Sequence, residues 1–233
     1  LMSGHVRCGR AAVPDLAGYS EGQWWVQDVS AGLPARLFGA GNGRSALDLC
    51  AAPGGKTLQL AAQGWQVTAL DRAESRLARL SENLERTGLS ADIVTADALH
   101  WATEEQFDAI LIDAPCSATG IFRRHPDVLY RASPRIIAEC AEIQLEMLDR
   151  ASRWLKMGGT MVYAVCSLEP EEGEAVVKTF LDAHPAFEIA PIDGEILPLG
   201  VAPAPEGWVR VLPGQIDDPE GADGFFLVRF RHS

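Results

Sequence analysis

The sequence lacks most of what marks a secreted, membrane or metal-scaffold protein. It has only five cysteines, Cys8, Cys50, Cys116, Cys140 and Cys166, an odd number with no CxxC pair. That argues against a disulfide framework and a cysteine-rich metal site. It points to the reducing cytoplasm, where the default role of a cysteine is that of a small buried apolar residue. No apolar run approaches the ~18 residues of a membrane span. The N-terminus has no charged-then-apolar leader. Basic residues are scarce: 20 Lys and Arg stand against 32 Asp and Glu, for a net charge of −12. Such a surface argues against sequence-blind binding to nucleic acid or membrane, and still leaves room for a local basic patch. There is no internal repeat and no low-complexity segment. What is plentiful is apolar content, 47% of 233 residues, enough for one large domain with a sizeable core.

Residues 1–18 have no clear period and read as a linker, with one catalytic-sized domain over 19–233. Residues 28–38 read as a short helix interrupted near Pro34. From Ser45 the pattern becomes regular. ALDLC, QVTALD, DIVTAD, FDAILID and TMVYAVC are compact strands. AESRLARLSENLERTG is a helix with Leu77, Leu80 and Leu84 on one stripe, ending at Gly88. PRIIAECAEIQLEMLDRASRWLK is a long helix closed by Gly158 and Gly159. PEEGEAVVKTFLDAH is a helix with Pro170 at its first position. Residues 190–222 form an irregular excursion, and GFFLVRF returns as a last strand. Strands alternating with helices imply a parallel α/β sheet with right-handed crossovers.

DLCAAPGGKT, from Asp48 to Thr57, poses the functional question, because GGKT resembles the end of a nucleotide phosphate loop. That loop needs a glycine five residues before Gly55, and the position holds Cys50. Pro53 has no N–H to offer a phosphate. An ATP or GTP site is therefore rejected. The alternative is a glycine turn at the end of the first strand, where open α/β sheets bind ligands. Asp71 then ends the second strand, suited to ribose hydroxyls. Asp97 ends the third and Asp113 ends the fourth. With Asp48 near the first, four carboxylates line one edge. This set suits a neutral or cationic nucleoside better than a polyphosphate, and S-adenosylmethionine is such a ligand.

Cys116, in DAPCSATG, follows the fourth strand. Cys166, in VCSLEPEEGE, follows the fifth. Both thus sit at the ligand edge. A thiolate beside a methyl donor suits pyrimidine C5 chemistry: attack at C6 makes C5 nucleophilic. A carboxyl group at N3, here Asp113, stabilises the attacked ring. Physical reasoning leaves open which cysteine attacks. Cys166 precedes a helix start that favours an anion, but Glu169, Glu171 and Glu172 oppose that effect.

These pieces, with WWVQDVSA, ALDR, DAPCSATGIFRRHPD and DGFF, resemble the Sun (Fmu, RsmB) type of RNA cytosine-C5 methyltransferase from about Tyr19 onward. The resemblance implies a Rossmann-like, mostly parallel seven-stranded sheet with helices on both faces. It implies an S-adenosyl-L-methionine site made by Cys50, Ala51, Ala52, Pro53, Gly54, Gly55 and Lys56, with Asp71 at the ribose, Asp97 near the adenine and Arg72 also contacting the cofactor. Asp113 is shared by cofactor and cytosine. Cys166 is the nucleophile and Cys116 assists release. RRHPD most resembles the subgroup acting on small-subunit (16S) ribosomal RNA. Members of that subgroup usually carry a helical RNA-binding domain ahead of the catalytic one. Here the chain begins at Leu1 with little before Tyr19, so that domain is expected to be absent, by truncation or in a shorter relative. An acidic core is tolerable where another domain supplies general RNA affinity.

Arg123, Arg124, His125, Arg131 and Arg135 cluster after the Cys116 loop and are expected to meet RNA phosphates. The substrate is expected to be a single-stranded or loop cytosine, because the base must leave its stack. Trp24 and Trp25 are assigned to core packing ahead of base stacking. Lys56 is assigned to the methionine carboxylate. No metal, no membrane partner and a monomer are expected. The other functional readings are a transfer-RNA methyltransferase of the same chemistry and a non-catalytic cofactor-binding scaffold for ribosome assembly.

Overall fold

A computed structural model describes residues 12–216 and 221–233. Cys8 and most of the expected linker lie outside the described residues. After a 3-10 turn at Val13–Asp15 and another at Ser30–Gly32, the chain forms a four-residue helix, α1 (Leu33–Arg36). Pro34 lies in its first turn, where no N–H is needed, so the proline starts this helix and does not interrupt one.

The core is then laid down in alternation. β1 (Ser45–Leu49), α2 (Gly55–Ala62), β2 (Gln66–Asp71), α3 (Glu74–Thr87), β3 (Asp92–Thr95) and β4 (Phe107–Asp113) follow in order. The segment after β4 holds a 3-10 turn (Thr119–Ile121) and a short helix, α4 (Val128–Arg131). The long α5 (Pro134–Trp154) leads into β5 (Leu155–Val165). A 3-10 turn (Pro170–Glu172), α6 (Glu174–Ala183), β6 (Phe187–Ile189), a 3-10 turn (Gly194–Ile196), β7 (Val209–Val211) and β8 (Phe225–His232) complete the chain.

The sheet runs β3-β2-β1-β4-β5-β8-β6, with β7 also paired to β8. The first five strands are parallel neighbours, and β8 is antiparallel to β5, β6 and β7. Order reverses between β1 and β4, which opens a crevice at their carboxyl ends. The sheet thus has eight strands where seven were expected. The addition comes from short pairings on β8, one of them, β7, inside the 190–222 excursion. α5 ends at Trp154 and passes directly into β5, so Gly158 and Gly159 lie within the strand and do not cap the helix. Pro170 opens a 3-10 turn, and Gly173 separates that turn from α6.

Burial explains these elements. Leu77, Leu80 and Leu84, spaced for one helix face, pack with Ala51, Ala52, Leu58 and Ala69 under the β1–α2 loop. The opposite sheet face and β5 carry the larger cluster that includes Leu47, Ile110, Tyr163, Phe180 and Phe226. Trp24 donates its indole N–H to the Ala17 carbonyl (2.9 Å), and Trp25 packs against the Leu80 cluster.

The loops at the carboxyl edge are stitched by backbone. The Ala114 N–H donates to the Ala164 carbonyl (3.0 Å), and the Gly120 N–H to the Cys166 carbonyl (3.0 Å). The Gly224 N–H donates to the Gly120 carbonyl (2.8 Å). Gly120 is wedged so tightly that a Cβ there would lie 2.2 Å from the Gly224 carbonyl oxygen and 2.9 Å from that of Cys166. Gly120→Ala is therefore expected to destabilise the fold by at least about 2 kcal/mol, because only backbone can give way. Urea unfolding midpoints measure this, and an unchanged midpoint would refute the close approach.

Candidate active site

The site is built where β1, β2, β4 and β5 end. Between β1 and α2 the chain turns sharply: Cys50 has φ 62° and Gly54 φ 109°. The second value is open to glycine and strained for any other residue, which accounts for Gly54 at the start of α2. Asp71, at the end of β2, is 3% exposed. It accepts the Ala52 N–H through Oδ2 (3.1 Å) and the Ala73 N–H through Oδ1 (2.9 Å), tying the glycine loop to the neighbouring strand. Arg76 donates to the Ala52 carbonyl across the same turn. Arg72 is exposed. Asp97 does not end the third strand as expected: β3 stops at Thr95, and Asp97 starts the following turn by accepting the Leu99 N–H through Oδ1 (2.9 Å).

Beneath the loop, Asp48 is fully buried on β1. Its Oδ2 accepts the Thr57 hydroxyl (2.6 Å), while its Oδ1 is buried without a partner among the described residues. Burial pushes its pKa up to about 7, against the pull of Thr57 and Lys56 and with added push from Asp113 and Asp71. Lys56 donates to Asp113 Oδ2 at 2.7 Å. Burial alone would lower the lysine pKa, and Asp113 reverses that and raises it. The sequence assigned Lys56 to a cofactor carboxylate, and the structure sets it against Asp113.

Cys116 and Cys166 stand 3.5 Å apart, sulfur to sulfur. The Cys116 thiol is pushed well above its ordinary value, first by the hydrogen bond to Cys166, then by burial and the nearby charge of Glu172. Cys116 therefore stays protonated near neutral pH. Lys56 and Arg124 are cations within electrostatic reach of Cys166. Cys50 is held as a thiol, its pKa raised to about 12 by burial and by Asp113, Asp71 and Asp48. The structure thus brings together the Cys50–Lys56 loop, Asp71, Asp113 and the cysteine pair.

The basic cluster divides. Arg123 reaches Asp28 (3.1 Å) and Asp223 (3.2 Å), and Arg124 forks onto Asp223, which is 3% exposed. These two arginines clamp the loop to the segment before β8. His125, Arg131 and Arg135 are exposed. Arg131 pairs with Asp127 (3.0 Å) and Arg135 with Glu139 (2.8 Å), surface contacts within one helical turn. Two residues that sequence reasoning did not single out are central here: Asp223, the clamp partner, and Glu172, a buried carboxylate. Asp223 opens the DGFF motif, and that placement was its only signal.

An α/β sheet of this order, with a glycine turn after β1, carboxylates at successive strand ends and no phosphate cradle, defines the S-adenosylmethionine-dependent methyltransferase fold. Within that class the chain belongs to the 16S rRNA methyltransferase RsmB/F family, whose model matches residues 36–231. It is 45% identical over 225 residues to ribosomal RNA small subunit methyltransferase B of Klebsiella pneumoniae, covering 94% of this chain and 49% of that one. The chain spans about half the length of the curated relatives it matches. Among solved structures it resembles NSun6 from Pyrococcus horikoshii with SFG, at TM-score 0.82 and 26% identity over 95% of this chain and 56% of that one. A methyltransferase homolog protein from Pyrococcus horikoshii matches at TM-score 0.80 and 28% identity, over 97% and 73% of the two chains. Among the described residues no helix is long and apolar enough to cross a membrane.

The raised pKa of Asp48 has a stability consequence. Between the unfolded value of 3.8 and about 7, the folded chain keeps a proton that the unfolded chain has released, so this contribution is lost as pH rises through that window. Asp48→Asn removes the linkage. From about pH 5.5 to about pH 7.5 the variant is expected to gain about 2 kcal/mol relative to the parent, at about 1.4 kcal/mol for each pH unit below the folded pKa. Urea unfolding at the two pH values measures the gain, and parallel pH dependences would contradict it.

Proposed function

We propose that this chain is the catalytic domain of an S-adenosyl-L-methionine-dependent RNA cytosine-C5 methyltransferase acting on small-subunit ribosomal RNA. The observation that carries the reading is the pair of thiols 3.5 Å apart, next to a strand-end carboxylate held by a lysine.

The residues fit the cofactor. The glycine turn lets a ligand approach the backbone, and the buried, unpartnered Oδ1 of Asp48 lies beneath that turn. Asp71 Oδ2 is shared by the Ala52 N–H and the Arg76 guanidinium (3.8 Å), while Oδ1 accepts only the Ala73 N–H among the described residues and keeps a lone pair for a ribose hydroxyl. Cys50–Lys56 would hold the cofactor, with Asp71 at the ribose, Asp97 near the adenine and Arg72 alongside. When bound, the cofactor supplies an electrophilic methyl on a sulfonium.

The chain's own residues prepare the base. The Cys166 thiolate forms a bond to C6, and the electron pair of the C5–C6 double bond moves toward C5. Asp113, held by Lys56, is the carboxyl group assigned to N3, where the attacked ring gathers charge. After C5 is methylated, a water molecule acting as base takes the C5 proton, the C5–H electron pair re-forms the C5–C6 double bond, and the C6–sulfur bond breaks to return the Cys166 thiolate. The protonated Cys116 thiol, within hydrogen-bonding distance, stabilises that departing sulfur.

Phosphate contacts fall to His125 and Arg131, because Arg123 and Arg124 are committed to Asp28 and Asp223. The exposed Arg131–Asp127 pair is worth only about 0–1 kcal/mol and yields readily to a phosphate. A cytosine in a loop or single strand is the substrate that reaches the thiols.

Cys166→Ala is expected to abolish tritiated-methyl transfer to unmodified small-subunit RNA while calorimetry shows cofactor binding intact. Cys116→Ala is expected to accumulate an RNA–protein adduct that survives a denaturing gel. Methyl transfer retained by the first variant, or no adduct with the second, would overturn these roles.

A further inference from the structure

Glu172 has no part in the chemistry just described, yet it is fully buried at the back of the cysteine pair. Neutral donors that converge from three elements satisfy it. From the loop after β4 come the Ser117 N–H, at 2.8 Å from Oε1, and the Ser117 hydroxyl on Oε2. From the loop after β5 comes the Ser167 hydroxyl, at 2.5 Å from Oε2. From α5 comes the Gln144 amide, at 3.2 Å from Oε1. Among the described residues no cation forms an ion pair with this carboxylate. The Glu172 backbone is fixed too, its carbonyl accepting the Tyr163 hydroxyl at 2.5 Å.

The sequence positions of those donors are telling. Ser117 directly follows Cys116, and Ser167 directly follows Cys166. One carboxylate therefore grips both Cys-Ser dipeptides by their serines. A buried carboxylate without a counter-charge is costly, and a core without it would be easier to stabilise. A structural role alone is poorly served by such a group, whereas a role in setting two sulfurs at a defined spacing and charge is served well.

We infer that Glu172 is a positioning residue that tethers the two Cys-Ser loops and holds the sulfurs in contact. The inference rests on the cysteine chemistry proposed above and deepens it, by explaining what sets the two sulfurs side by side. The titratable groups facing Cys116 are Cys166 from the loop after β5, Glu172 from the 3-10 turn and Tyr163 from β5. Cys140 on α5 approaches Glu172 from its far side. Glu172 is the carboxylate in this set. Its charge opposes a thiolate on Cys116. Removing that charge should release Cys116.

The test uses Glu172→Gln, which keeps size and removes charge, and the Ser117→Ala/Ser167→Ala pair, which keeps the charge and removes the hydroxyl grip. Site-resolved alkylation by iodoacetamide, read by mass spectrometry against pH and without RNA, reports each thiol. In Glu172→Gln the Cys116 profile is expected to move to lower pH, so that its alkylation at neutral pH rises about tenfold for each pH unit moved. In the serine variant the Cys116 profile is expected to move far less. Both variants are expected to lose about 10- to 100-fold in kcat for methyl transfer, with KM for RNA and cofactor unchanged. A Cys116 profile unchanged in Glu172→Gln, or a parental kcat in the serine variant, overturns the inference. Should Glu172→Gln not fold, the kcat of the serine variant decides alone. Because alkylation needs no turnover, a shifted Cys116 profile in a chain that transfers no methyl would uphold the tether and overturn the functional reading.

Discussion

The parallel pairing of β4 with β5, in register through Asp113 opposite Ala164, is the constraint on which the site depends. Each strand ends in a loop that carries a cysteine soon after, so adjacent strand ends deliver two sulfurs to one place. The register leaves little freedom, since a slip by one residue would turn every side chain to the other face. Short bonds then lock the loops: Ala114 to Ala164, Gly120 to Cys166, and Gly120 to Gly224 just before β8. Sheet topology thus delivers Cys116 and Cys166 to neighbouring loops, and contacts between those loops set their 3.5 Å spacing.

Electrostatics gives the site its asymmetry. Asp48 and Asp113 flank Lys56, with Asp71 near Asp48, and a buried set with such an acidic balance cannot carry full charge cheaply. Asp48, bonded to a hydroxyl and not to the ammonium, takes up a proton near neutrality, while Asp113, in contact with the ammonium, is compensated. Burial, and then the charges of Asp113, Asp71 and Asp48, keep the Cys50 thiol protonated, its pKa raised to about 12. In the pair that follows β4 and β5, the hydrogen bond with Cys166, burial and the nearby charge of Glu172 together push the Cys116 thiol well above its ordinary value.

Much of this was legible in the residues. Apolar runs ending in Asp gave β2 and β4 to the residue, and the period of Leu77, Leu80 and Leu84 gave the buried face of α3. The missing glycine at Cys50 and the missing N–H at Pro53 were enough to discard a phosphate loop. What was not legible depends on partners distant in sequence. Arg123 and Arg124 look like free basic residues until Asp28 and Asp223 are brought to them from the two ends of the domain. Glu172 reads as one of several solvated acids in EPEEGE until the 3-10 turn points it inward, beneath Ser117 and Ser167. β6 and β7 are three residues each, too short for a periodic signal, and exist because β8 offers them an edge.

The central claim is that Cys166 bonds to the target base while Cys116 stands by as a thiol. Small-subunit ribosomal RNA containing 5-fluorocytidine tests it most directly, because a fluorine at C5 cannot leave as a proton and the C6–sulfur bond then persists. Incubation with S-adenosylmethionine, proteolysis and mass spectrometry locate that bond. The account predicts a methylated adduct on the peptide that contains Cys166. An adduct on Cys116, or methylated fluorocytidine released with no adduct on either cysteine, would contradict it.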